Sequence, residues 1–244
     1  LTAVKKDIAS RGNGRAGEEV ITAVDVTRIY SDNGIPVGAV NGITLSVKPG
    51  EFTAIVGPSG SGKTTFLNII SGLDKPTSGT VRLNGKPISD MSGNELSEFR
   101  RDNVGFIFQA YNLIPVLTVA ENIEYVMLLK GIDRKERRSR IGGILKKMDM
   151  EGFENRLPTQ LSGGQQQRIA VARAMVSRPV LILADEPTAN LDSTTGGGLL
   201  DMMHKMNRES GITFVFSTHD EMVMQRARRL ITLKDGQIVN DESR

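Results

Sequence analysis

Gly57-Pro58-Ser59-Gly60-Ser61-Gly62-Lys63-Thr64-Thr65 decides how this chain is read. The apolar residues 52–56 precede it and Phe66-Leu67-Asn68-Ile69-Ile70 follows, so the order is buried strand, glycine-rich turn, helix start. The spacing G-x-x-x-x-G-K-T is that of a phosphate-binding loop. Ser59, Gly60, Ser61 and Gly62 would turn backbone N–H groups toward a phosphate, and the helix beginning near Lys63 points its positive end at the same place. Lys63 would reach the terminal phosphates as a point charge, and the Thr64 hydroxyl would bind Mg²⁺, with Thr65 in the same turn. A plain strand-to-helix turn would not require all three elements in this order. The stretch predicts a nucleoside triphosphate site.

The 244 residues suffice for one sizeable core with a subdomain inserted in it. Charged residues make up 24% and hydrophobic ones 39%, as in ordinary globular proteins. A net charge of +3 is too small an excess to argue for nucleic acid, and three Tyr with no Trp offer few stacking platforms. With no cysteine, neither a disulfide framework nor a thiolate metal site can form. No apolar run approaches the ~18 residues of a membrane span, and no signal-peptide pattern opens the sequence. A cytoplasmic location is the expectation, with an initiator preceding Leu1.

Residues 1–19 mix basic residues with Gly12, Gly14 and Gly17 and read as a flexible tail. Alternation predicts strands over residues 20–26 and 40–47, joined by a hairpin loop over 31–38, and another strand around Val81 and Leu83. Residues 89–158 have a helical texture. Thr118 and Glu121 have capping-box spacing, Ile123, Val126 and Met127 follow at helical intervals, and Gly131 is a stop. A basic run from Lys130 to Lys147 would face anionic headgroups, an acidic partner surface or simply solvent, the last being the favoured reading. Residues 180–184, and 212–216 apart from Thr213, are apolar runs, as expected of parallel strands covered on both faces. Between them residues 193–207 read as a helix whose Gly196-Gly197-Gly198 implies a late start or a soft first turn. Residues 230–239 read as a closing hairpin turned at Asp235-Gly236.

Asp185-Glu186 stands at the carboxyl end of an apolar strand, where open parallel sheets put their ligands. Strand alternation would send the two carboxylates to different tasks: Asp185 to the Mg²⁺ shell, Glu186 to accept a proton from an attacking water. Leu161-Ser162-Gly163-Gly164-Gln165 is the other distinctive segment. Ser162 and Gln165 have capping-box spacing, yet a capping box needs no glycines between its ends. Gly163 and Gly164 would bare N–H groups at a helix start and make a second anion site.

These segments, with Asn190-Leu191-Asp192 and His219 after them, resemble an ABC-transporter nucleotide-binding domain in content and order, over residues 20–239. The wording is similar to the lipoprotein-releasing and macrolide-exporter ATPases at residues 72–79, 106–109 and 183–192. It departs from that branch at Ala189, where Gly is more usual, and at the glycine triplet.

The resemblance implies an α/β fold. It would comprise a P-loop NTPase (RecA-like) core, an antiparallel β subdomain and an inserted α-helical subdomain. Residues 20–88 and 176–239 would form the β subdomain and core; residues 89–175 would form the Q-loop, helical subdomain and signature helix. It implies ATP with Mg²⁺ as ligands, and two copies packed head to tail so that Ser162, Gly163, Gly164 and Gln165 of one close over the γ-phosphate held by Lys63 of the other. Gln109 would touch Mg²⁺ and sense a transmembrane partner, and Tyr30 would stack on adenine with Val40 beside the sugar. Asp192 would link the two sites, and His219 would contact the γ-phosphate and support Glu186, while His204 stays structural. The implied activity is ATP hydrolysis on the inner face of the cytoplasmic membrane. It would drive a separate permease subunit with a large extracytoplasmic domain in lipoprotein release or export of peptide or antibiotic-type substrates. A division-type regulator of a membrane partner is the alternative, followed by a soluble ABC ATPase; a small-molecule kinase would leave residues 161–165 unexplained.

Overall fold

The computed structural model describes residues 19–32 and 35–244. The tail expected over residues 1–19 lies outside them except for Glu19, as does the tip, at residues 33 and 34, of the loop expected over 31–38. What flanks that tip is strand: β1 (Ile21–Asp32) and β2 (Ile35–Val47) pair antiparallel up to Asp32 opposite Ile35. Expected loop residues on both sides thus continue the ladder, because its hydrogen bonds persist beyond the point where the apolar alternation stops.

β3 (Phe52–Val56) consists of five consecutive buried residues. It is followed by α1 (Lys63–Ser71), then β4 (Ser78–Leu83) and the short β5 (Lys86–Pro87). β2, β1, β4 and β5 form a four-stranded sheet, antiparallel throughout. α2 (Gly93–Asn103) leads into β6 (Val104–Ile107), a strand inside the stretch expected to be helical. Four residues including Gly105 are too few for a period to register. The glycine is there because a Cβ would lie 2.6 Å from the Ala174 carbonyl oxygen of the helix packed on it.

Beyond β6 come α3 (Val119–Leu129), α4 (Arg134–Lys147), α5 (Gly163–Val176), β7 (Leu181–Asp185), α6 (Ser193–Ser210), β8 (Thr213–Thr218), α7 (Glu221–Arg226), β9 (Arg229–Lys234) and β10 (Gln237–Ser243). A six-stranded sheet has the order β10-β9-β3-β8-β7-β6, with β10 alone running antiparallel to its neighbour. The central strands β3, β8 and β7 are covered on both faces, and alternate residues go to different cores, while β10 is an exposed edge. Phe52, Ala54, Ile182, Ala184, Phe214 and Phe216 join the core containing α3, α4, α5 and α6. Ile55, Leu181, Leu183 and Val215 join Phe66, Ile69 and Ile70 of α1 and the buried face of the four-stranded sheet. Each fully buried Phe, Ile, Leu or Val side chain among them contributes about 1.5–3 kcal/mol of transfer free energy.

α6 begins at its cap, Asp192, so the glycine triplet lies within the helix and the late start does not occur. A Cβ at Gly196 would meet Met222 Cε at 3.3 Å and Thr188 Cγ2 at 3.4 Å. Nothing in the structure explains Gly198, which faces open space. The basic run is partly neutralised: Arg137 pairs with Glu124 at 2.7 Å, Lys147 with Glu209 at 3.4 Å, and Arg140 with Glu136. Among the described residues no helix is long and apolar enough to cross a membrane.

The segment between β6 and α3 is held by Asn122, fully buried on the first turn of α3. Its Oδ1 accepts from the Ile114 N–H at 2.8 Å, and its Nδ2 donates to the carbonyls of Ile114, Leu117 and Thr118 at 3.1, 2.9 and 3.0 Å. Asn122→Leu strands the Ile114 N–H and the Leu117 carbonyl, and a buried unpaired group costs about 1–3 kcal/mol. Urea denaturation of this variant is expected to show about 3 kcal/mol less stability at an unchanged m-value.

Candidate functional site

Lys63, Thr64, Asp185, Glu186, Thr218 and His219 come from the carboxyl ends of three adjacent parallel strands. β3 and β8 pair with Val56 opposite Thr218, and β7 and β8 with Asp185 opposite Ser217. The loop after β3 is shaped by left-handed glycines, Gly57 at φ 148°, Gly60 at 79° and Gly62 at 98°. Two of them also yield to close neighbours. A Cβ on Gly57 would sit 2.2 Å from the Leu233 carbonyl oxygen, and one on Gly62 2.3 Å from that of Ala39. The loop is therefore walled by β9 on one side and β2 on the other.

Inside it, Lys63 is 9% exposed and donates from Nζ to the carbonyls of Gly57 at 2.8 Å and Pro58 at 2.9 Å. The ammonium thus lies across the loop's mouth on acceptors that an anion would outcompete. The buried Ser61 hydroxyl has no hydrogen-bond partner, which leaves a polar group for a ligand to satisfy.

Asp185 and Glu186 part company, for a different reason than alternation. β7 ends at Asp185, and Glu186 has φ 46°, a left-handed conformation that costs a non-glycine residue about 1–3 kcal/mol. Its N–H donates to the Ser217 carbonyl at 2.9 Å, and its own carbonyl accepts from Ala189 at 3.2 Å. The turn aims the side chain at β8. Thr218 Oγ1 donates to Glu186 Oε2 at 2.9 Å, and His219 Nδ1 lies 2.6 Å from Oε1. The glutamate side chain is only 16% exposed and the imidazole 75%, so the histidine is the solvent-facing member of the pair.

Asp185 faces the helix start instead, with its oxygens 3.3 and 3.4 Å from Thr64 Oγ1. A carboxylate and a hydroxyl make a hard oxygen pair suited to Mg²⁺, which keeps several waters and takes further oxygens from phosphates. Among the described residues no group of three His, Cys, Asp or Glu side chains could hold a metal unaided, and the donor set fits a cation that arrives with its phosphates. A cleft between α1, β6 and β7 is lined by Asn68, Phe106, Phe108 and Asp185 among others. Gln109 is exposed, and among the described residues no hydrogen bond joins its side chain to Thr64 or Asp185. Its backbone carbonyl accepts from Asn190 Nδ2 at 2.9 Å.

Tyr30 pairs with Val37 along the β1–β2 ladder, whose Ala39 abuts the glycine loop. Its hydroxyl donates to Asp74 Oδ2 at 2.7 Å, and the Arg28 guanidinium, itself 2.9 Å from Asp74, lies 4.4 Å from the ring centroid. The ring is thus held at hydroxyl and face before any ligand arrives. Val40 does not join it. It is fully buried in the core, because strand alternation turns it inward, and the expected sugar contact is withdrawn.

Ser162 caps α5 as expected, accepting from Gln165 N–H at 3.3 Å while Gln165 Oε1 accepts from Ser162 N–H at 2.9 Å. The intervening glycines have a packing reason that spacing does not reveal. A Cβ on Gly163 would be 2.8 Å from the Tyr111 hydroxyl, and one on Gly164 2.4 Å from Thr195 Cγ2. Asp192 caps α6, accepting from Thr195 N–H at 2.9 Å and its hydroxyl at 2.7 Å, and that hydroxyl foremost holds its carboxyl below the usual range. Among the described residues no hydrogen bond joins residues 162–165 to residues 57–65 of the same chain. Thr218 was missed in sequence; its place next to His219 at a strand's end was the available signal.

A family model described as ABC transporter matches residues 40–189. An uncharacterized ABC transporter ATP-binding protein of Methanocaldococcus jannaschii, MJ0796, is 45% identical over 227 residues, 91% of this chain and 97% of that protein. The macrolide export ATP-binding/permease protein MacB of Hyphomonas neptunium is 43% identical over 222 residues, which are 91% of this chain but only 34% of MacB. The solved dimer of MJ0796 in a post-hydrolysis state, bound to ADP and Pi, superposes with a TM-score of 0.85 at 44% identity, over 91% of this chain and 98% of that one.

Thr218→Val keeps the buried shape and removes the hydroxyl that orients Glu186. Phosphate release from ATP is expected to show kcat reduced about tenfold with KM within about twofold, the pattern of an interaction that matters only during the chemical step.

Proposed function

The chain belongs to the ABC transporter family, and from that premise we propose that it is the ATP-hydrolysing subunit that drives a membrane-spanning permease. The observation that carries this reading is the Glu186 carboxylate, held by Thr218 and His219 at the sheet edge that also bears Lys63 and Thr64. Residues 59–65 cradle the phosphates, and Lys63 exchanges its two carbonyl acceptors for phosphate oxygens. Thr64 and Asp185, with Gln109 approaching once nucleotide is bound, would hold Mg²⁺, whose chemistry there would be to neutralise charge on the phosphate oxygens. Glu186 accepts the proton of the attacking water. His219 Nδ1 orients that carboxylate, and the ring contacts the γ-phosphate. Tyr30, braced by Arg28 and Asp74, stacks on adenine.

Residues 162–165 have no role in their own chain's loop, so a second copy supplies them: two chains pack head to tail and Asp192 lies at the joint. The dimer of MJ0796 supports this arrangement. We place that permease on a separate chain; MacB, a macrolide export ATP-binding/permease protein, supports an export machine as the class of partner, with lipoprotein release as the neighbouring reading. The complex then sits on the inner face of the cytoplasmic membrane.

In Glu186→Gln the site binds ATP without turning it over, and size exclusion with light scattering is expected to show the mass doubling from 26.5 kDa on addition of ATP and Mg²⁺. A monomer under those conditions overturns the head-to-tail reading. The same variant, tagged and used as bait in solubilised membranes, is expected to recover a few-span membrane protein; recovery of nucleic acid or soluble proteins alone overturns the permease.

A further inference from the structure

The segment after β6 is sterically disfavoured. Tyr111 and Asn112, neither a glycine, both have left-handed backbones, at φ 57° and 50°. Such residues normally occur singly and persist where surrounding structure over-determines them. Here the determinant is Arg173, on α5. Its Nη2 donates to the Tyr111 carbonyl at 2.9 Å and its Nη1 to the Asn112 carbonyl. Among the described residues no carboxylate pairs with this half-buried guanidinium, and desolvation lowers its pKa. A planar fork spent on two successive carbonyls fixes a backbone path, which a point charge would not do.

Two further ties act on the same stretch. The Tyr111 hydroxyl lies against Gly163 at the start of α5, and Asn190 Nδ2 holds the Gln109 carbonyl. Gln167, fully buried one turn into α5, donates to the Pro187 carbonyl at 2.7 Å, next to Glu186. Thus the loop bearing Gln109, the helix bearing Ser162–Gln165 and the turn bearing Glu186 are bonded to one another through backbone carbonyls and no ligand.

We propose that Arg173 is a positioning residue that locks the Gln109 loop to α5, so that a change at Gln109 in one copy moves the 162–165 segment that closes on the other copy's nucleotide. The proposal rests on the head-to-tail reading above. Arg173 touches no nucleotide itself.

The test uses Arg173→Met and Arg173→Lys in the full chain. In the nucleotide-free protein, amide hydrogen exchange across residues 109–113 is expected to rise about tenfold in both variants, since lysine keeps the charge and loses the fork. With Glu186→Gln as background, both variants are expected to need about tenfold more ATP to dimerise, while their affinity as monomers for a fluorescent ATP analogue without Mg²⁺ stays within about twofold. A role in stability alone would lower the melting temperature without that split. Arg173→Lys behaving as wild type in exchange and in dimerisation overturns the clamp. Faster exchange with an unchanged ATP requirement overturns the transmission. Failure of Glu186→Gln alone to dimerise overturns the head-to-tail reading, and the transmission with it, while the exchange result still decides the clamp.

Discussion

Everything at the site depends on the register of three parallel strands. Val56 opposite Thr218 and Asp185 opposite Ser217 set three strand ends at one height, and each is followed at once by the residues that carry chemistry. Parallel strands can be brought side by side only by crossovers, which here are α6 between β7 and β8 and the long excursion through α1 to α5 between β3 and β7. A slip of one residue would exchange the two cores, moving Phe214 and Phe216 to the face where Val215 packs, and would turn Thr218 away from Glu186. The apolar cost of such a slip is what makes the site's geometry dependable.

Division of labour between the two acids follows from a local conflict. A glutamate continuing β7 would point back across the sheet; a glutamate in a left-handed turn reaches β8 and meets two partners. The strain is offset by the hydrogen bonds that Glu186 makes with Ser217 and Ala189 through its backbone. Asp185, still on the strand, remains beside Thr64. One step along the chain thus sends one carboxylate to the helix start and the other to the end of β8, the separation that the proposed cation and proton roles require.

Features encoded within a few residues were legible in the sequence. The glycine loop, the capping boxes at Thr118 and Ser162, and the buried runs of β3 and β7 are set by near neighbours, and the structure has them where spacing put them. What was not legible depends on distant partners. β6 is a strand because β7 offers it a ladder, and Val40 is core because β2 turns it inward. The glycines at 163 and 164 answer to Tyr111 and Thr195, and the left-handed pair at 111 and 112 answers to an arginine on another helix. No window of sequence contains those pairs.

The walls of the glycine loop come from opposite ends of the chain, Ala39 on one side and Leu233 on the other. Gly236 ties them together: its carbonyl accepts from Asn41 N–H at 2.8 Å and its N–H donates to the Ser61 carbonyl at 3.1 Å. Such contacts, distant in sequence, are among the last to form. During synthesis, then, a chain emerging from the ribosome carries the phosphate motif long before it owns the cradle. The cradle is thus a property of the folded domain and not of the motif, since its walls are in place only once β2 and β9 have both docked.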